Sequence, residues 1–314
     1  MNNLDIKQPV YLTLLIKLGS HNVLAIIALI SIGSATRVME AGLACPDWPL
    51  CYGNLLPLNH MNLKVFLEWF HRLDAFLVGI FVLTQFTLSL IWSKYLPNWL
   101  PKSYSLLVFL ILLQGSLGAL TVINTLASAT VTAHLLIAFV ILITSIFVNQ
   151  NLNNIKQKTL SENNKLDPQL IWWKIFIGIP LLLTLVQSII GASVSSTWSA
   201  HICLEFNQQC FNLNIHRLFA IPTSISILIP IFFSIQNKKL FMFNQKLLIS
   251  MGSFLILQIF LGFLSLKTNL TEPFILVSHQ LIASLLIATL SALFFKNQSE
   301  SITFQEQNSK LIFN

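Results

Sequence analysis

Charge is what this sequence has least of. Asp, Glu, Lys and Arg make up only 9% of its 314 residues, against roughly 25% in a soluble domain. Hydrophobic residues make up 55% and the mean hydropathy is +0.74. That shortage excludes a water-soluble enzyme, a nucleic-acid-binding module and a disordered chain. Cysteine is also scarce: four residues do not make a disulfide scaffold, so their placement carries the information. The net charge of +7, from 18 basic and 11 acidic residues, matters less than where the basic residues fall.

What is present is a series of long apolar runs. A bilayer core of roughly 30 Å needs about 20 mostly apolar residues per helix. Eight stretches qualify: 21–38, 66–92, 104–123, 130–149, 171–193, 213–235, 245–266 and 273–295. Without period-2 alternation these are predicted helices, giving an all-α integral membrane protein. The first run ends in Thr36-Arg37 and is long enough to cross, so it reads as a span and not as a signal peptide. With both termini cytoplasmic, 13 basic residues fall inside and five outside: Arg37, Lys64, Arg72, Arg217 and Lys267. That is the expected positive-inside bias. A polar stretch at 149–167 divides the helices four and four. It predicts an N-terminal four-helix bundle in 1–149, a cytoplasmic linker in 150–170 and a C-terminal bundle with a cytoplasmic tail in 171–314.

The two halves repeat. Trp69-Phe70-His71-Arg72-Leu73 is answered by Asn214-Ile215-His216-Arg217-Leu218, and Ala133-His134-Leu135 by Ser278-His279-Gln280. Leu113-Gln114 with Leu117-Gly118 recurs as Leu257-Gln258 with Leu261-Gly262. His71 to His134 and His216 to His279 are each 63 residues apart, and the halves are offset by 145 at both histidines. Two bundles of the same topology follow, related by a pseudo-twofold axis along the membrane normal.

Each histidine pair falls early in helices running from outside to inside, so the two members lie at one depth. Ionisable groups inside a membrane usually face the bundle interior. Two imidazoles at equal depth can hold a haem iron from both faces; the plainer reading is an interhelical hydrogen bond for each. Zinc or copper is poorly served by two histidines without helical cysteines. His21, His60 and His201 read as surface or interface residues. Arg37, Arg72 and Arg217 could grip haem propionates through bidentate contacts or simply reach toward water.

The cysteines lie in the first outer loop of each half, Cys45 with Cys51 and Cys203 with Cys210. The expected bonds are therefore Cys45–Cys51 and Cys203–Cys210 on the oxidising side. Both a structural staple and a redox-active thiol pair fit this placement.

At these residues the sequence resembles the bacterial haem A synthase family. The resemblance rests on Thr36-Arg37, Gly42-Leu43, the loop Cys45-Pro46-Asp47-Trp48-Pro49-Leu50-Cys51-Tyr52-Gly53 and Glu68-Trp69-Phe70-His71-Arg72, and it extends over about residues 20–295. It implies eight transmembrane helices in two similar four-helix bundles in the bacterial cell membrane. It also implies oxidation of the C8 methyl of haem O to the formyl of haem A for cytochrome oxidase. His216 and His279 would then hold a haem b cofactor, and His71 and His134 the substrate haem. Implied partners are haem O, membrane lipid, a neighbouring haem O synthase and an electron acceptor or donor; nucleic acid is not among them. A dihaem electron-transfer cytochrome is the competing class, and a haem transporter a third.

Asymmetry separates these classes, because an electron carrier needs two similar sites and an enzyme one reactive one. Glu68 lies three residues before His71, on the same helix face, and the matching position is Leu213. A carboxylate there suits acid–base or electrostatic catalysis. The alternative is an i,i+4 ion pair with Arg72 that orders the helix start.

Overall fold

The computed structural model describes residues 10–158, 168–196 and 210–296. Among the described residues, eight helices are long and apolar enough to cross a membrane. They are α1 (Val10–Val38), α2 (Leu63–Ile91), α3 (Trp99–Ile123), α4 (Ser128–Lys158), α5 (Pro168–Ser196), α6 (Phe211–Gln236), α7 (Lys238–Lys267) and α8 (Pro273–Phe295). Among the described residues the only β pairing is an isolated bridge between Cys51 and Asn54. This is the multi-pass all-helical architecture expected from the eight apolar runs.

α1 and α4 outrun their apolar stretches the most. α1 begins at Val10, because residues 10–16 are mostly apolar and join the core through Leu12 and Leu15. α4 continues to Lys158, into the stretch expected to be linker. Its amides find protein partners there: Asn149 Nδ2 donates to Ser20 Oγ at 3.0 Å, and Asn154 Nδ2 to the Phe295 carbonyl at 3.0 Å. Satisfied polar side chains of this kind keep a helix packed against its neighbours beyond the apolar run.

Within the first half α1 packs on α2, α2 on α3, α3 on α4 and α4 on α1; within the second, α5 packs on α6, α6 on α7, α7 on α8 and α8 on α5. Each half is thus a closed ring of four helices. The rings meet through α1 with α8, α4 with α8 and α4 with α5. Exchanging the halves leaves that set of contacts unchanged. One apolar core runs through the junction, with Leu142, Leu152, Ile177, Leu290 and Leu293 fully buried.

The turns into α4 and α8 repeat in detail. Thr125 and Leu126 have φ of 49° and 61°, and Asn269 and Leu270 have 49° and 60°. Leu126 N donates to Thr121 O at 2.8 Å, and Leu270 N to Ser265 O at 2.9 Å. Left-handed backbone costs a non-glycine residue about 1–2 kcal/mol, so two such residues in succession at matching positions mark a shared device. The device aims the helices that carry His134 and His279.

Candidate functional site

Each ring carries its two histidines on diagonal helices: His71 on α2 and His134 on α4, His216 on α6 and His279 on α8. Each imidazole rests against a glycine of the neighbouring helix. A Cβ on Gly33 of α1 would stand 2.8 Å from Cε1 of His71, and a Cβ on Gly191 of α5 would stand 2.8 Å from Cε1 of His216. Gly118 of α3 and Gly262 of α7 back His134 and His279 in the same way, at 3.4 and 3.3 Å from Cε1. At Gly33 and Gly191 only a bare backbone lets the ring settle this deeply.

The surroundings of the two pairs differ. Gln187 of α5 donates through Nε2 to His216 Nδ1 at 3.1 Å and to the His216 carbonyl at 2.8 Å. Gln258 of α7 places its Nε2 3.1 Å from His279 Nε2. The position matching Gln187 in the first half is Leu29, and His71 Nδ1 and His134 Nδ1 are buried without a hydrogen-bond partner. His279 Nδ1 is likewise buried and unpartnered.

At the first pair the loop of residues 39–62 folds back onto α2. Asn62 caps α2 by accepting from Val65 N at 3.1 Å. Glu68 is 3% exposed, and both its oxygens are engaged. Oε2 accepts from Cys45 N at 2.7 Å, and Oε1 pairs with Arg72. The Arg72 guanidinium also donates to the carbonyls of Asp47 and Leu50, each at 2.6 Å, and more weakly to that of Cys45 at 3.5 Å. So the i,i+4 pair foreseen as the plainer reading of Glu68 forms, and it clamps the cysteine loop to the helix. Arg72, a candidate for propionates in the sequence, spends its planar fork on three loop carbonyls and a carboxylate.

Arg37 is different. It stands one turn beyond Gly33 on the same face of α1. Its Nε is buried without a partner, and neither ion pair among the described residues involves it. The residue as a whole is half-buried, and a buried N–H left without an acceptor is costly until one is found. Arg217 is exposed. Cys45 and Cys51 form a disulfide with Cα atoms 4.8 Å apart. Cys210 is disulfide-bonded; the expected Cys203–Cys210 bond involves a residue outside the described ones, as does His201. His60 stacks on Tyr52 with ring centroids 4.1 Å apart, and His21 lies against Phe81 at 6.3 Å.

Residues 18–290 match the COX15-CtaA family model, described as cytochrome oxidase assembly protein. The chain belongs to this family. Among curated relatives, Heme A synthase of Shewanella oneidensis is 31% identical over 192 residues, covering 55% of this chain and 54% of that protein. Heme A synthase of Bacillus pumilus is 31% identical over 183 residues, covering 55% and 56%. The protein of the same name from Shouchella clausii is 34% identical over 107 residues, 33% of this chain and 34% of its own length. The chain spans about half the length of the first two of these relatives in alignment.

The donor chemistry of the two histidine pairs fits haem iron. Each offers two partly buried imidazoles on diagonal helices, and three of the four present an unpartnered buried nitrogen. No group of three His, Cys, Asp or Glu that could hold another metal occurs among the described residues. The glycine rests on α1 and α5 escape a reading of the repeat because they do not share its offset. Gly33 and Gly191 differ by 158 and the histidines by 145, since the first loop is longer by 13 residues. The signal was there in Ile32-Gly33 and Ile190-Gly191, each ending an apolar run. Gln187 leaves no such trace, because it has no counterpart.

The glycine distances rank two substitutions. Gly191→Ala should displace the His216 ring and lower haem content at that pair, because its Cβ would sit 2.8 Å from the ring. Gly262→Ala, at 3.3 Å, should leave most of it in place. Haem-to-protein ratios of the two purified variants check this ranking, and equal loss in both would contradict it.

Asp47 organises the tip of the loop. Its carboxylate accepts from Gly53 N at 2.7 Å and Tyr52 N at 2.6 Å. These bonds, Gly53 first, hold its pKa below the ordinary carboxylate value. A lowered folded pKa means the contribution is present above the unfolded pKa and is lost as pH falls through the folded one. Asp47→Ala should speed reduction of Cys45–Cys51 by a water-soluble phosphine several-fold at neutral pH. Acidification of the wild type below the lowered pKa should do the same. A mass-shift assay reads the rate, and an unchanged rate in the variant would show that these bonds do not order the loop.

Proposed function

We propose that the protein is a haem A synthase, oxidising the C8 methyl of haem O to a formyl group to give haem A for cytochrome oxidase. The observation that carries this reading is the inequality of two otherwise repeated glycine–histidine sites. The first has a buried carboxylate three residues before its histidine, a half-buried arginine whose buried Nε lacks a partner, and no amide on His71. The second has none of the former two and holds His216 through Gln187. One site is built to react and exchange; the other is built to keep what it holds. Two similar electron-transfer sites would not need this difference.

In this reading His216 and His279 hold haem b, which supplies electron transfer when bound, with Arg217 available to a propionate. His71 and His134 hold the substrate, and Arg37 meets a substrate propionate through its guanidinium fork. Arg72 keeps the cysteine loop and Glu68 in register beside the site. Glu68, fixed between Cys45 N–H and Arg72, is the local group that accepts or donates a proton, or opposes positive charge developing on the substrate. The two halves act as separate units joined by the linker after α4. The loops at the histidine end face the outside of the bacterial cell membrane and both termini the cytoplasm, in accord with the distribution of lysine and arginine. A haem O synthase would deliver the substrate and an electron acceptor would remove the electrons.

The test is extraction and mass analysis of haems from the purified protein, and from cells supplied with haem O. Haem O and formyl product beside haem b are the expected result. Haem b in both sites with no conversion would replace this function by that of a dihaem cytochrome.

A further inference from the structure

We propose that residues 55–58 of the first loop lie in lipid, forming an apolar lip in the leaflet on the loop side of the bundle. Residues 48–63 contain no Asp, Glu, Lys or Arg. Within them Leu55 is 84% exposed and Leu58 70%, with Leu56 exposed beside them. In a loop bathed by water, three neighbouring leucines would have no reason to be turned outward.

Their position answers the question of what covers them. The indole Nε1 of Trp69 donates to the Leu55 carbonyl at 2.7 Å. Trp69 lies six residues after Leu63, the first residue of α2, which is about 9 Å along the helix axis. The loop therefore does not stand off the bundle but returns alongside α2, below the level at which that helix begins. On α2, Leu63, Phe66, Phe70, Leu77 and Ile80 recur at helical spacing and are all exposed. They form a stripe on the side away from the buried Glu68, Val82 and Gln85. In a membrane-spanning helix that stripe faces acyl chains. Phe66 and Phe70 stack with centroids 5.6 Å apart and Trp69 leans on Phe70 at 6.5 Å, an aromatic cluster of the kind that settles at a membrane–water boundary. The loop leucines extend this lipid face without a charged break. Beyond them the polar Asn59 and the His60 ring stacked on Tyr52 return the chain to water.

Lipid is thus the occupant the geometry points to, rather than a second copy of the chain. Trp69 ties the lip to the turn of α2 that carries His71. A lipophilic substrate dissolved in the leaflet would meet this lip before the loop end of the first bundle; that consequence rests on the function proposed above, whereas the membrane contact does not.

Spin labels on single added cysteines test the contact in the full chain reconstituted into phosphatidylcholine–phosphatidylglycerol vesicles, with the unsubstituted protein as the labelling blank. Leu55→Cys and Leu58→Cys carry the test labels. Leu77→Cys on the lipid stripe and Glu40→Cys, at a residue exposed and paired with Lys64 across 3.5 Å, provide the lipid and water references. The expected result is that both test labels relax with dissolved oxygen as the Leu77 label does, and resist a water-soluble nickel chelate. Relaxation by the chelate at the level of the Glu40 label would overturn the proposal. So would labels protected from both reagents, which would place a protein surface on the leucines. Haem conversion is not part of the readout, so either failure leaves the functional proposal standing.

Discussion

Alanine at His216 or His279 should strip most of the haem b from the purified protein, while alanine at His71 or His134 leaves it. Each C-terminal imidazole is one of two donors on diagonal helices, and no third His, Cys, Asp or Glu ligand group lies among the described residues to take its place. Loss of one would therefore remove a donor to the haem iron that nothing nearby replaces. Gln258 would lose its ring partner, while Gln187 would keep only the backbone carbonyl of residue 216. Unpartnered buried polar groups cost about 1–3 kcal/mol each, so the variants should also melt lower than the wild type. Reduced-minus-oxidised spectra and pyridine haemochrome assays read the haem directly. Haem b that persists in both C-terminal variants and vanishes with His71→Ala would show that the two halves are assigned in the wrong order.

Glu68→Gln should keep the fold and haem b and lose haem A formation by about 100-fold or more, the usual range for removing an acid–base group. Glutamine retains an oxygen for the Cys45 N–H, now at 2.7 Å from the carboxylate, so the loop keeps one of its two ties to this side chain. What it loses is the charge opposite Arg72 and the capacity to take a proton. Arg72 still has the carbonyls of Asp47 and Leu50, which is why collapse of the loop is not the expected outcome. Arg72→Gln provides the contrast, since it releases the loop but leaves the carboxylate. If haem A output falls equally in both while Cys45–Cys51 becomes equally reducible, the carboxylate acts only as a clamp. Near-normal output from Glu68→Gln in cells supplied with haem O would remove it from the chemistry altogether.

The membrane spans and the histidine repeat were legible because both depend on composition and spacing along one helix. Apolar runs of 20 residues and a 145-residue offset survive without knowledge of neighbours. What was not legible depends on neighbours. α4 reaches Lys158 because its asparagines bond Ser20 and Phe295, contacts 129 and 141 residues away in sequence. Arg72 turned from a propionate candidate into the holder of a loop because residues 45–50 come back over α2, and nothing in the order of residues announces that return. Arg37 carried the same expectation at the sequence level, and a buried Nε without a partner is what sets it apart from Arg72 and Arg217.

The halves meet through α1, α4, α5 and α8. Of each histidine pair, one member stands on a helix of that seam, His134 on α4 and His279 on α8, and the other on a helix packed chiefly within its own ring. A flat molecule entering a pair would therefore meet one wall braced on the other half and one compliant by comparison, being packed chiefly within its own ring. The compliant wall of the first ring is α2, the same helix to which the disulfide loop is fastened by Glu68, Trp69 and Arg72. Whatever tugs on that loop from the surface is geared to a single jaw of the vice, while the opposite jaw keeps its distance from the neighbouring ring.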